Sequence, residues 1–87
     1  MENIKNVLLK KINESLADKG VNLLEEYPSK EVMLESDLDS MDIAILIAEL
    51  EDDLGYDPFS SISEPIYPET FEEFLEIYLK YAPNVWK

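Results

Sequence analysis

Three stretches of this chain repeat apolar residues at steps of three and four, and that spacing leaves little besides α-helix for most of its length. The first set is Ile4, Val7, Leu8, Ile12 and Leu16. The second is Ile43, Ile47, Leu50 and Leu54, joined by Leu46. The third is Phe71, Phe74, Leu75, Tyr78 and Leu79. At about 3.6 residues per turn each set lines one face of a helix. The predicted helices run from about Glu2 to Asp18, from Ser40 or Met41 to about Leu54, and from Thr70 until Pro83 closes the last. Gly20 and Gly55 sit where the first two should stop. Thr70-Phe71-Glu72-Glu73 fits a capping box, threonine at the cap and glutamate three residues on. No segment reads as a convincing strand. The expected fold is all-α: a small antiparallel helical bundle of three main helices.

The connections are uneven. Residues 21–39 form a long one, with Val21, Leu23, Leu24, Val32, Met33 and Leu34 scattered through it and Pro28 inside. A loop of that length is unusual unless it has a task or packs as a unit, so its apolar residues are expected to cover the core. The stretch from Tyr56 to Pro68 contains three prolines and is expected to be mostly loop. A short fourth helical turn is expected around Ser61 to Glu64.

The 87 residues make one domain, 1–87, with a modest core. Hydrophobic residues are 46% of the chain, too many for a disordered composition. There is no cysteine and no histidine. Disulfides, thiolate metal sites, most zinc chemistry and the usual general base are therefore missing. Twenty acids face seven lysines, for a net charge of −13. Lys30 is followed by no cation until Lys80, and fifteen acids lie between them. Such a field repels nucleic acid and anionic membranes and speeds encounter with basic protein surfaces. The longest apolar run, Ile43 to Ala48, is too short to span a bilayer. The first residues lack the basic-then-apolar pattern of a signal peptide. A soluble, cytoplasmic, monomeric protein without stable membrane insertion is expected.

The tetrapeptide Asp39-Ser40-Met41-Asp42 opens the second helix. Taken alone, Asp39 before a serine is only a good N-cap, its carboxylate placed at the positive end of the helix. The surroundings add to that. The tetrapeptide lies mid-chain in an acidic helical protein, after one helix and a long loop. It precedes an amphipathic acidic helix, Leu54-Gly55 and a proline-containing loop. Met41, Ala44, Ile45 and Ala48 fall largely away from the core stripe, so the first half of this helix is apolar nearly all round. Extra apolar residues beside an exposed serine read as a docking surface, or as a wider core stripe covered by the long loop. Methionine at position 41 suits adaptable contact.

In this pattern the chain resembles the acyl carrier protein family, over nearly its whole length and most specifically from Leu38 to Gly55. The resemblance implies that Ser40 carries a covalent phosphopantetheine, derived from coenzyme A, whose thiol holds acyl groups as thioesters. It implies a carrier rather than an enzyme. Its partners would be a phosphopantetheinyl transferase and acyl-loading and acyl-transferring enzymes with basic docking surfaces. Docking candidates are Asp39, Met41, Asp42, Glu49, Asp52 and Asp53. The chain departs from the family pattern in three places: no glycine shortly precedes Asp39-Ser40, Ile45 stands where a glutamate is common, and Gly55-Tyr56-Asp57-Pro58-Phe59 replaces the usual isoleucine and proline. These departures favour a specialised free-standing carrier, for a modified polysaccharide, a secondary metabolite or an unusual lipid, over the general carrier of fatty acid synthesis. The alternatives are an aminoacyl or peptidyl carrier, and an unmodified acidic helical interaction module.

Other chemistries fit poorly. A calcium loop begun at Asp37 would need oxygen ligands where Met41, Ile43 and Ile45 stand. Ser40 as a nucleophile would need an activating base, and the chain has no histidine. Paired carboxylates are abundant, with no sign of a substrate cleft.

Overall fold

Helix α1 (Ile4–Asp18) begins where the Asn3 side chain accepts the Asn6 backbone N–H at 2.8 Å, satisfying one of the amides that a helix start leaves open. It buries Ile4, Val7, Leu8, Ile12 and Leu16, the face that their spacing predicts. It ends in a Schellman turn: Gly20 N–H donates to Ala17 O at 3.0 Å and Val21 N–H to Leu16 O at 3.1 Å. Gly20 holds the left-handed φ of 74° that this turn demands. The computed structural model describes residues 3–61 and 68–84, so the expected start at Glu2 lies outside the described residues.

Helix α2 (Ser40–Leu54) stops at Gly55, again left-handed, whose N–H returns to Glu51 O at 2.9 Å. Its buried residues are Leu46, Leu50 and Leu54. Ile43 and Ile47, expected in the core stripe, are only half-buried. The stripe is rotated towards Leu46, and the two isoleucines face a groove described below.

Helix α3 (Phe71–Lys80) buries Phe71, Phe74, Leu75 and Tyr78, whereas Leu79 turns outwards and is exposed. Thr70 Oγ1 accepts the Glu73 N–H at 3.1 Å, as a capping box requires. The Glu73 carboxylate reaches one residue further back than the box predicts, to Glu69 N–H at 2.9 Å. Phe59, Phe74 and Tyr78 stack as an aromatic wedge, with the Phe74 and Tyr78 ring centres 5.1 Å apart.

The molecule is thus a small all-α bundle, and among the described residues it contains no strand. Two ion-pair positions show that α1 and α2 run antiparallel. Lys11 pairs with Glu49 and Asp53, near the end of α2. Lys19 pairs with Asp42, at its start. A short 3-10 turn at Met33–Glu35 breaks the long connection, and a second at Pro58–Ser61 follows α2. The second turn ends where a helical turn around Ser61 to Glu64 was expected; residues 62–64 lie outside the described residues.

The long connection packs as a unit, held by polar ties as well as by its buried apolar residues. The Asn13 amide bonds both the N–H and the C=O of Leu24, at 2.8 and 3.0 Å. Tyr27 hydroxyl donates to Phe71 O at 2.6 Å. Met33 N–H donates to Glu69 O and Phe71 N–H to Glu31 O, around an isolated bridge between Val32 and Thr70. Tyr27, Met33 and Leu38 are buried, while Leu23, Val32 and Leu34 stay exposed. Half of the expected apolar cover therefore faces outwards.

Candidate functional site

Ser40 is the first residue of α2 and is exposed. Its neighbours fix the helix start reciprocally. Asp39 Oδ1 accepts the Asp42 N–H at 2.9 Å, and Asp42 Oδ2 accepts the Asp39 N–H at 3.1 Å. This is a capping box built from two aspartates. The backbone on both sides of Ser40 is therefore held, and the hydroxyl leaves from a defined point.

Lys19, the C-cap residue of α1, closes the arrangement from the other side. Its ammonium pairs with the Asp42 carboxylate and donates to Asp37 O at 2.8 Å. The hydrogen bond from Lys19, then the backbone bond from Asp39, hold the Asp42 carboxyl below its ordinary 3.8. The same bond to Asp42 raises the Lys19 ammonium above its ordinary 10.5. Because the Asp42 value is depressed in the folded state, its contribution exists above the ordinary value and disappears as pH falls through the folded one. The Lys19 contribution exists below 10.5 and disappears as pH rises beyond it. The clamp is intact throughout the neutral range.

At 100° per residue, four sectors of α2 separate. Leu46, Leu50 and Leu54 face the core. Asp42, Glu49 and Asp53 share the side turned to the α1 lysines: Lys11 lies 3.1 Å from Asp53 and 3.7 Å from Glu49. Met41, Ile45, Ala48 and Asp52 stand opposite the core, and all four are exposed. Met41 is 71% exposed and Ile45 49%. Ser40, Ile43, Ala44 and Ile47 form the fourth sector.

That fourth sector lines a groove of about 440 Å³, completed by Met33, Leu34, Phe59 and Pro68. Ser40 is its one hydroxyl-bearing lining residue; the other seven are apolar. A ligand attached at Ser40 would find low-polarity surface within reach, where an apolar chain is driven out of water.

The structure thus brings three of the candidate docking acids, Asp42, Glu49 and Asp53, into ion pairs with α1. Asp39 is occupied by the cap. Met41 and Asp52 remain on the outer strip. Lys19 and Lys11 were not singled out in the sequence, and Leu34 was read there only as cover for the core. Lysines in a strongly acidic chain are the one available signal, since each is surrounded by potential partners. The pairing itself depends on how α1 and α2 register. Among the described residues there is no group of acids placed to hold a metal ion, and no helix is long and apolar enough to cross a membrane. No family model matches the chain, and no curated protein or solved structure matches it significantly.

Proposed function

We propose that this protein is an acyl carrier, with Ser40 as the attachment point of a phosphopantetheine arm. The single observation that carries the reading is the position of Ser40: exposed, on the first turn of a doubly capped helix, at the edge of a 440 Å³ groove that is otherwise apolar. Attachment asks little of the carrier itself. Ser40 Oγ forms a bond to the phosphorus next to the pantetheine of coenzyme A. The pyrophosphate bond breaks, adenosine 3′,5′-bisphosphate leaves, and the serine proton passes to a base of the transferase. No base is needed on this chain, which has no histidine. The start of α2 offers backbone amides and a positive dipole end to the resulting phosphodiester. When bound, the arm supplies a thiol that carries acyl groups as thioesters. Ile43, Ile47 and Phe59 offer apolar surface to such a group, while Met41 and Ile45 offer contact to the enzymes that visit it.

The departures around Ile45 and Tyr56 to Phe59 point to a dedicated carrier in a specialised lipid, polysaccharide-modification or secondary-metabolite route. The test is intact mass after incubation with coenzyme A and a broad-specificity phosphopantetheinyl transferase. Wild type should gain one pantetheine adduct, and Ser40→Ala, which leaves both capping aspartates in place, should fold and gain none. A folded wild type that gains nothing would favour the unmodified acidic interaction module, whose contact surface would be the Met41 and Ile45 strip.

A further inference from the structure

We infer that Lys19 is a positioning residue for Ser40: it fixes the turn that presents the hydroxyl and supplies a positive charge beside an otherwise acidic attachment point. Its kinetic part rests on the carrier reading; the pinning of the turn does not. Three observations converge. Lys19 lies on a different element from Ser40, at the C-cap of α1. One ammonium group holds both sides of the serine at once, through the Asp37 carbonyl upstream and the Asp42 carboxylate downstream. Asp42 is in turn bonded to Asp39, so one α1 side chain ties into both the Asp37 end and the capping box, alongside the buried Leu38, whose N–H donates to the Ser36 hydroxyl.

The charge matters for a separate reason. Asp37, Asp39 and Asp42 surround Ser40, and the sequence has no cation from residue 31 to residue 79. A coenzyme A phosphate approaching Ser40 meets three carboxylates. Lys19 enters from outside that acidic run and lies against one of them. The Schellman turn at Gly20 makes this possible, because it ends α1 immediately after Lys19 and turns the chain away. Lys11 is a useful contrast. It makes the same kind of crossing to α2 but reaches Glu49 and Asp53, about two and a half and three and a half turns away from Ser40.

The test uses Lys19→Met, which keeps the length of the side chain and removes the charge, with Lys19→Arg as rescue and Lys11→Met as control. Two readouts are taken on the full chain. In amide hydrogen exchange, Lys19→Met should speed exchange at residues 38–42 while α3 stays protected, and Lys19→Arg should restore the wild-type pattern. In transferase kinetics, Lys19→Met should lower kcat about fivefold, the size expected for one unscreened charge near the reacting phosphate. KM for the carrier should not rise, because the added negative charge does not repel a basic enzyme. High salt should narrow the difference from wild type, since screening shortens the reach of the carboxylates. A role limited to holding the fold would raise KM, lower stability and be indifferent to salt. Unchanged exchange at residues 38–42 in Lys19→Met overturns the inference, whether or not the protein is modified. Faster exchange with unaltered kcat overturns its electrostatic half. A wild type that takes no adduct sinks the carrier reading alone, and faster exchange in Lys19→Met would still support the pinning.

Discussion

Asp39 does two things that its sequence position joins. Its carboxylate caps α2 by accepting the Asp42 N–H, and its charge lies one residue from Ser40, the proposed attachment point. Substitutions separate these. Asp39→Ala removes the acceptor and should cost about 1 kcal/mol of stability, the usual loss when a capping side chain is deleted. Asp39→Asn keeps an acceptor in place, so its stability should stay within a few tenths of a kcal/mol of wild type. Urea unfolding of the pair checks this; equal destabilisation by both would mean that charge, and not the cap bond, holds the helix start. Capping was legible from Asp39 alone. That Asp42 returns the bond was not, because aspartate is a short side chain at the position where glutamate or glutamine usually completes the box.

Among the elements, α2 has four faces with four different uses, and the apolar pattern resolved only some of them. An isoleucine at 43 or 47 and a leucine at 46 or 50 look equivalent in a hydropathy reading. They differ in cover: the leucines are buried in the core that α2 shares with α1, while the isoleucines pack at its edge and line the groove with Met33, Leu34, Phe59 and Pro68. The consequence is measurable. Leu50→Ala empties a fully buried site and should cost about 3 kcal/mol, within the range for buried leucines. Ile47→Ala only enlarges an open groove and should cost about 1 kcal/mol. Chemical denaturation of both variants decides it; equal losses would mean that the groove is closed in solution and that Ile47 belongs to the core. The long connection teaches the same lesson. Its apolar residues forecast packing, and Met33 and Leu38 do enter the core, but Asn13 and Tyr27 add fastenings, and such long-range polar bonds leave no periodic trace in a sequence.

At the scale of the whole molecule, the three-helix plan was readable because periodicity agrees with a cap or stop residue at most boundaries, namely Gly20, Asp39, Gly55, Thr70 and Pro83. The ion-pair register was not, since α1 lysines could meet any of many acids until the helices are docked. Charge and burial together also set the response to alkali. Tyr27 and Tyr78 are buried, and desolvation raises both hydroxyls above their ordinary 10.0. Burial pushes Tyr56, which donates to Tyr78 O at 2.6 Å, up to about 12. A raised value means that the fold favours the protonated form. The contribution is therefore full below pH 10 and declines as pH rises through the folded values. Absorbance titration should show these tyrosines ionising together with loss of helix above pH 10, not before it; ionisation of all tyrosines near their ordinary value with helix intact would contradict the packing. Tyr78 hydroxyl is buried and finds no hydrogen-bond partner among the described residues. Tyr78→Phe should accordingly hold or raise stability at neutral pH, because it deletes an unsatisfied polar group.

The proposed carrier function depends on one oxygen atom, and the chain has other serines, at 15, 29, 36, 60, 61 and 63. The most direct measurement is tandem mass spectrometry of peptides from the transferase-treated protein, to locate the pantetheine adduct. The prediction is a single modified peptide with the adduct on Ser40, absent from Ser40→Ala. An adduct on any other serine, or none on a folded wild type presented with transferases of several specificities, would contradict the assignment of Ser40 as the carrier site.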